Sequence, residues 1–183
     1  MPDKKHYIIT SITLGAIAAC SAALIGLTNL VTRDRIAENE KAKIASGISE
    51  IFGDNSKVLE ESNIKQYVLS KKYYTLGDIY TVGEKDNDYV LGYAFKTTGS
   101  NSYGKISLIV GFDKTNLGFM GLSVIVNEQT YASTLVENYI DPLNNEPEKL
   151  NDIDVKCGAT YGATTVKDMI NEAYSAAQEI WKE

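Results

Sequence analysis

The chain has 183 residues, of which 44% are hydrophobic, and its 18 basic and 24 acidic residues give a formal net charge of −6. This length accommodates a membrane anchor together with one soluble domain of ordinary size. The acidic balance argues against a nucleic-acid partner, and a single histidine, His6, leaves no histidine-based catalytic triad or zinc site for the soluble domain.

An apolar segment near the start of the sequence predicts a transmembrane helix. Tyr7 to Val31 contains no charged residue, which is long enough to cross ~30 Å of hydrocarbon with some tilt. Ile17 to Cys20 resembles a lipoprotein cleavage box, but the chain stays apolar beyond Cys20. We therefore predict a retained single span, and the sequence leaves lipidation of Cys20 open.

Basic residues flank the predicted span on both sides: Lys4 and Lys5 precede it, and Arg33, Arg35, Lys41 and Lys43 follow it. Because Lys and Arg are in excess on the cytoplasmic side of membrane proteins, a bare count places the C-terminal domain inside. Acidic residues accompany the later basic group. Composition alone does not settle the side.

The helix is predicted to continue beyond the span to about Phe52. Isoleucines recur at helical spacing between charged residues, and Gly53-Asp54-Asn55 ends the run. The sequence thus predicts three regions: a short tail with a transmembrane anchor at 1–31, a stalk helix at 32–55, and a soluble domain at 56–183.

Short alternating segments between Gln66 and Glu128 predict an antiparallel meander. The predicted strands are 78–82, 89–95, 106–112 and 121–126, with turns at 85–88, 97–101 and 113–116. The twelve tyrosines of the chain suit half-buried strand faces and are interpreted as packing residues.

Helices are predicted on the C-terminal side of the meander. A short helix is expected at 130–139, and an acidic, proline-containing loop at 141–152. The last helix shows one apolar stripe, formed by Val166, Met169, Ile170, Ala173, Ala177, Ile180 and Trp181. Thr165 with Asp168 predicts a capping box, so the helix is expected to begin near Thr165.

The segment from Asp154 to Thr160 places small residues and a hydroxyl just before this last helix. Backbone N–H groups at a helix N-terminus are unpaired and the dipole is positive there, so a phosphate binds favourably. The alternative is a purely structural role, as a glycine-rich turn with a threonine that caps the helix. Gly-Ala-Thr occurs twice, at 158–160 and at 162–164.

The same segment resembles the flavinylation motif Asp-x-x-(Ser/Thr)-Gly-Ala-Thr. That motif belongs to the FMN-binding domain shared by RnfG, a component of Rnf electron-transport complexes, and a longer component of the sodium-pumping NADH:quinone reductase. In that family the last threonine carries FMN through a phosphoester bond. Asp154 lies six residues before Thr160, as the motif requires, whereas the same offset from Thr164 falls on Gly158. The resemblance therefore assigns the flavin to Thr160.

Other segments resemble RnfG as well. Gly26-Leu27-Thr28-Asn29, with Thr32 and Ile36, is similar to the end of its anchor, and 104–113 is similar to its central strands. Two departures stand out. Cys157 replaces the usual Ser or Thr, and the family's Glu-Thr-Pro-Gly-Leu-Gly loop, which lies against the flavin, reads here as Gln129-Thr130-Tyr131-Ala132-Ser133-Thr134.

The resemblance implies an α+β fold, with one N-terminal transmembrane helix and an FMN-binding domain of antiparallel sheet and flanking helices. It implies covalent FMN as the cofactor, no metal site and no catalytic residue of the chain's own. The residues expected around FMN are Thr160, Gly158, Ala159, Cys157, Thr130, Gln129, Gly162, Thr164 and Thr165.

The resemblance also implies partners and a location. These are membrane lipid, a flavin transferase that attaches FMN with magnesium, and other membrane subunits of an Rnf-type complex. That complex couples ferredoxin oxidation and NAD reduction to ion translocation, and its RnfG domain lies on the extracytoplasmic side of the cell membrane. The resemblance therefore implies that the tail before the span is cytoplasmic. Two alternatives stay open: a stand-alone outer-surface flavoprotein feeding an extracellular reductase, and a non-redox anchored module that binds no flavin.

Overall fold

The computed structural model of the chain describes residues 4–149 and 154–181. The contacts between residues divide it into two compact units, Met1–Ala42 and Lys43–Glu183. The first three residues of the predicted tail and residues 150–152 of the predicted acidic loop lie outside the described part of the chain.

A single long helix, α1 (Lys4–Phe52), accounts for the first unit and continues to residue 52. It is the one helix among the described residues that is long and apolar enough to cross a membrane, with a mean hydropathy of 2.1 in its most apolar window and none of that window buried. The hydroxyls of Thr13, Thr28 and Thr32 donate to main-chain carbonyls one turn earlier, at 2.8–2.9 Å. Polar groups satisfied within the helix in this way are compatible with a lipid environment.

The second unit contains one antiparallel sheet with the strand order β1-β2-β3-β4-β5. The strands are β1 (Ser56–Asn63), β2 (Leu76–Glu84), β3 (Val90–Asn101), β4 (Gly104–Asp113) and β5 (Phe119–Asn127). The predicted meander and α+β class are therefore confirmed. Strand β1 was not predicted, because it lies at the sheet edge and its side chains are largely polar and partly exposed.

The turn predicted at 97–101 is wrong. Strand β3 continues to Asn101 and pairs with Gly104, so the chain reverses only at residues 102–103. Gly99 has a packing reason, since a Cβ there would lie 2.7 Å from Thr165 Cγ2 and 2.8 Å from Met169 Sδ. The small and polar residues at 97–101 have the composition of a turn. In the structure they instead let the last helix approach the strand closely.

The last helix, α4 (Thr160–Trp181), covers one face of the sheet. Its buried side chains include the predicted stripe residues Val166, Met169, Ile170, Ala173 and Ala177. The opposite face packs against Ile44 and Ile48 in the last part of α1, so the second unit has three layers. Two carboxylates of α4 tie it to the loop before β2: Glu172 accepts from Thr75 N–H and hydroxyl, and Glu179 accepts from Ser70 and Tyr73.

The predicted start of α4 at Thr165, with Thr165 and Asp168 as a capping box, is wrong. The helix begins at Thr160, and the Thr165 hydroxyl donates to Tyr161 O at 2.8 Å inside it. The second Gly-Ala-Thr triplet therefore lies within the first turns of α4. Its glycine did not end the helix because Gly162 is buried against Leu135, where a Cβ would lie 2.9 Å from Leu135 Cδ2.

A broken helical segment connects the sheet to α4. It comprises α2 (Ala132–Leu135), a π-helical turn (Val136–Ile140), α3 (Asp141–Asn145) and a 3₁₀ turn (Pro147–Lys149). The short helix predicted at 130–139 is thus present but continues into the predicted acidic loop. Pro142 is tolerated because it lies in the first turn of α3, where its missing N–H is not required.

The π-helical turn buries Tyr139 completely, and its hydroxyl has no hydrogen-bond partner among the described residues. Burial, followed by the nearby Cys157 and Asp168, raises the pKa of Tyr139 to about 12. Both observations indicate that Tyr139 is neutral in apolar surroundings. Its buried oxygen makes no hydrogen bond with the described part of the chain that would stabilise the fold.

We expect Gly92→Ala to destabilise the second unit by ~1–3 kcal/mol, the usual cost of overpacking. An added Cβ would collide with the Phe112 carbonyl oxygen and lie 2.7 Å from Phe52 Cε1. Urea unfolding of the full chain in detergent, followed by fluorescence of the single tryptophan, Trp181, measures the change. Gly77→Ala is the matched control, because its Cβ would meet only Lys96 O at 3.5 Å. Equal stability of the two variants would contradict this packing.

We expect Tyr139→Phe to be at least as stable as wild type at pH 7, by up to ~1 kcal/mol, because it removes an unpaired buried hydroxyl. The folded-state pKa is raised from 10.0 to about 12. The contribution of the neutral Tyr139 phenol to the free energy of unfolding is therefore fully present below pH 10. It is lost as the pH rises through 12. Urea unfolding at pH 7 and pH 11 should show a smaller alkaline loss in Tyr139→Phe than in wild type or in Tyr174→Phe, whose ring is 39% exposed. A large loss at pH 7 in Tyr139→Phe would contradict the assignment.

Candidate functional site

A cavity of about 290 Å³ opens at the N-terminal end of α4. Its volume is near the lower end of the range for small-molecule sites. The residues that line it are Tyr103, Gln129, Tyr131, Leu135, Gly158, Ala159, Thr160, Tyr161 and Gly162. None of them is charged, so the wall is aromatic, small or neutral polar.

The first turn of α4 forms one side of this cavity, and its first main-chain donors have no acceptor among residues 4–149 and 154–181. The first hydrogen bond of the helix runs from Ala163 N to Ala159 O at 3.0 Å. The amides of Thr160, Tyr161 and Gly162 therefore precede it and have no acceptor within the helix. Alanine at the cap position offers no side-chain oxygen, although Ser, Thr, Asp and Asn are preferred there by ~1 kcal/mol. The positive end of α4 is left available to an anion.

The loop that leads into α4 is held by side chains that hydrogen-bond to its main chain. Gly158 has φ +89°, a left-handed conformation that favours glycine, and a Cβ there would lie 3.3 Å from Thr134 Cγ2. The Asn138 side chain donates to Cys157 O at 3.0 Å. Asp154 accepts from Lys156 N at 2.9 Å, so its carboxylate holds the loop. Together these contacts set the approach of the chain to Thr160.

The structure brings five of the sequence-predicted site residues to the cavity: Gln129, Gly158, Ala159, Thr160 and Gly162. The side chain of Thr160 is exposed at the first position of α4. It therefore combines an accessible hydroxyl with the unpaired amides of the helix end.

The other four predicted residues, Cys157, Thr130, Thr164 and Thr165, do not line the cavity. Thr164 lies one turn further along α4 and its hydroxyl donates to Thr160 O at 2.9 Å. The Thr165 hydroxyl donates to Tyr161 O and accepts from Asn101 Nδ2 at 2.9 Å, linking α4 to the end of β3. Cys157 is partly buried behind the loop.

The segment from Gln129 to Thr134, which replaces the expected loop, supports the β3–β4 turn. Gln129 is buried, with its side-chain amide donating to Gly104 O at 2.5 Å. Thr130 donates to Tyr103 O twice, from its N–H at 2.9 Å and its hydroxyl at 3.2 Å. These two residues thus position the turn at one side of the cavity.

Three tyrosines of the cavity wall were not predicted as site residues. Tyr103, Tyr131 and Tyr161 are 39%, 52% and 63% exposed, so the interpretation of all tyrosines as packing residues is wrong for them. Tyr103 lies 5.8 Å from Tyr131 and 5.3 Å from Tyr161 between ring centroids. Two sequence signals were available: Tyr131 stands where the family has proline, and Tyr161 directly follows Thr160.

The arrangement suits a ligand with a flat, neutral ring and an anionic group. The ring would meet the aromatic wall, and the anionic group would meet the end of α4. The described residues contain no group of three or more His, Cys, Asp or Glu placed to hold a metal ion.

Comparison with known proteins gives one family. The family model described as the RnfG N-terminal region matches residues 1–51. This range coincides closely with α1 (Lys4–Phe52). No curated protein matches the chain. The first 51 residues of the chain are therefore similar to the RnfG N-terminal region, and this match supports an assignment to RnfG of Rnf electron-transport complexes.

Proposed function

We propose that this chain carries electrons through FMN attached covalently to Thr160, as the RnfG component of an Rnf-type ion-translocating ferredoxin:NAD oxidoreductase. The observation that carries the proposal is the position of Thr160. Its exposed hydroxyl lies at an uncapped helix N-terminus and on the wall of a 290 Å³ cavity.

The helix end would hold the phosphate of FMN. A phosphoester at the first residue of α4 lies next to the amides of Thr160, Tyr161 and Gly162, which have no intrahelical acceptor. Its negative charge also faces the positive end of the helix dipole, an interaction worth ~0.3–1 kcal/mol. Gly158 and Ala159 leave room for the phosphate beside the chain, because neither has a bulky side chain.

Attachment would be a substitution at phosphorus. The Thr160 oxygen forms the new P–O bond, the bond to the leaving group of an activated FMN donor breaks, and the hydroxyl proton is lost. A flavin transferase with magnesium would supply the donor and the general base, since the described residues near Thr160 include no histidine or metal cluster. The exposure of Thr160 gives such an enzyme access.

When bound, FMN supplies one-electron carriage between donor and acceptor centres. The chain itself would bind, orient and tether the group, with no substrate chemistry of its own. The membrane-capable α1 would keep it among the other membrane subunits of the complex, and the motif's family implies an extracytoplasmic domain.

Thr160→Ala should abolish covalent flavin, because it removes the oxygen that forms the ester. The full chain is expressed with a flavin transferase, denatured, and examined for flavin fluorescence on a gel. Thr164→Ala is the matched control: it lies one turn away and its hydroxyl is bound to Thr160 O. Thr160→Ser should retain fluorescence by keeping a hydroxyl.

Each other outcome of the gel has a defined meaning. Loss of fluorescence only in Thr164→Ala would move the attachment site to the second triplet. An unlabelled wild type beside a labelled control protein would overturn the electron-carrier proposal and favour a non-redox anchored module. A separate purification from native membranes distinguishes the remaining alternative. A labelled chain that purifies there without other membrane subunits would favour a stand-alone flavoprotein.

The extracytoplasmic side predicts the behaviour of C-terminal reporters. Alkaline phosphatase fused after Glu183 should be active and a fluorescent protein that folds only in the cytoplasm should be dark. The opposite pair of results would place the domain inside, as the bare count of basic residues around the span suggests. A fusion after Val31 provides the control for the span alone, without the domain.

A further inference from the structure

We propose that Tyr103, Tyr131 and Tyr161, here called the tyrosine cluster, stack against the ring of the flavin. The inference rests on the proposed function, because it takes the ring to be tethered at Thr160. It assigns a ligand contact to three side chains that no motif in the sequence identifies.

The three rings meet at the cavity although they come from separate parts of the chain. Tyr103 lies in the β3–β4 turn, Tyr131 precedes α2, and Tyr161 lies in the first turn of α4. Their centroid separations of 5.3 and 5.8 Å are those of interacting aromatic rings. Single exposed aromatic residues are ordinary, but three around one cavity form a continuous apolar surface.

The turn that carries Tyr103 is held in place by hydrogen bonds from neighbouring residues. Tyr103 N donates to Asn101 Oδ1 at 2.8 Å, and Tyr103 O accepts from Thr130 N and from the Thr130 hydroxyl. Gln129 binds the next carbonyl, that of Gly104. A turn restrained in this way loses little conformational entropy when a ring stacks on Tyr103.

The position of the cluster relative to Thr160 selects the occupant. Tyr161 follows Thr160 directly, and both line the cavity with Tyr103 and Tyr131. A group esterified to Thr160 is therefore tethered beside the three rings at high effective concentration. The aromatic part of the lining suits a flat heteroaromatic ring, while the end of α4 is left to the phosphate.

Collisional quenching of flavin fluorescence by iodide tests the stacking on the covalently flavinylated full chain in detergent. In wild type the stacked ring should be protected relative to the same sample in urea. One stacking contact of an aromatic ring is worth ~1–3 kcal/mol. Loss of one stacking partner should therefore lower the ratio of stacked to unstacked flavin about 5- to 160-fold. Tyr131→Leu and Tyr161→Leu should therefore raise the quenching constant towards the value in urea.

Tyr89→Leu is the matched control, because Tyr89 is 59% exposed and does not line the cavity. It should leave the quenching constant at the wild-type value. Thermal unfolding by circular dichroism checks that each variant folds, which the exposure of these side chains favours. If Tyr161→Leu hinders attachment at the neighbouring Thr160, Tyr131→Leu, which is remote in sequence, provides the decisive comparison.

The failure of this inference differs from the failure of the proposed function. Flavin on the denaturing gel, with equal quenching in wild type, Tyr131→Leu and Tyr161→Leu, would overturn the stacking alone. Absence of flavin from wild type would overturn the attachment, and the stacking with it.

Discussion

The burial of α4 against the sheet is the contact on which the candidate site depends. Small residues on the buried face, Ala163, Ala173, Ala176 and Ala177, let the helix approach the strands closely, and Gly99 of β3 accepts Thr165 and Met169 at its surface. The hydrogen bond from Asn101 to Thr165 joins the end of β3 to the first turns of α4. These contacts determine where the helix begins in space, and therefore where Thr160 lies relative to the β3–β4 turn.

The N-terminus of α4 has no side-chain cap because the cap position, Ala159, carries no polar side-chain atom. Buried helix ends usually have a side-chain cap, because unpaired amides are costly. Here the cap position is alanine, the preceding Gly158 is left-handed, and the loop is held from behind by Asn138. A helix N-terminus without a side-chain cap leaves its first amides free to donate to a ligand. Stability and phosphate binding would thus draw on the same three amides.

The segment that departs from the family pattern is ordered in this chain and has a defined role. Gln129 and Thr130 bind the carbonyls of Gly104 and Tyr103, and Gln129 also lines the cavity. The surface that they leave is made by aromatic side chains from neighbouring elements. An aromatic cavity wall is therefore present although the Pro-Gly-Leu-Gly sequence is not.

Local sequence by itself determined the elements that depend on periodicity and composition. The uncharged run from Tyr7 to Val31, the alternating strands and the apolar stripe of α4 each bury or expose a face that the sequence shows directly. Through the resemblance to the flavinylation motif, the offset between Asp154 and Thr160 favoured Thr160 over Thr164. The match over residues 1–51 supports the resemblance to RnfG.

Only the tertiary structure decided the features that depend on contacts between distant segments. Gly162 is helical because Leu135 packs over it, and Thr97 to Asn101 remains in a strand because α4 covers it. Both segments have the composition of turns, so propensity alone favours the wrong conformation. The tyrosine cluster likewise depends on long-range contacts, since residues 103, 131 and 161 meet only after the sheet and α4 have packed. Long-range burial outweighs local preference at these positions, and local sequence does not encode which surfaces will meet.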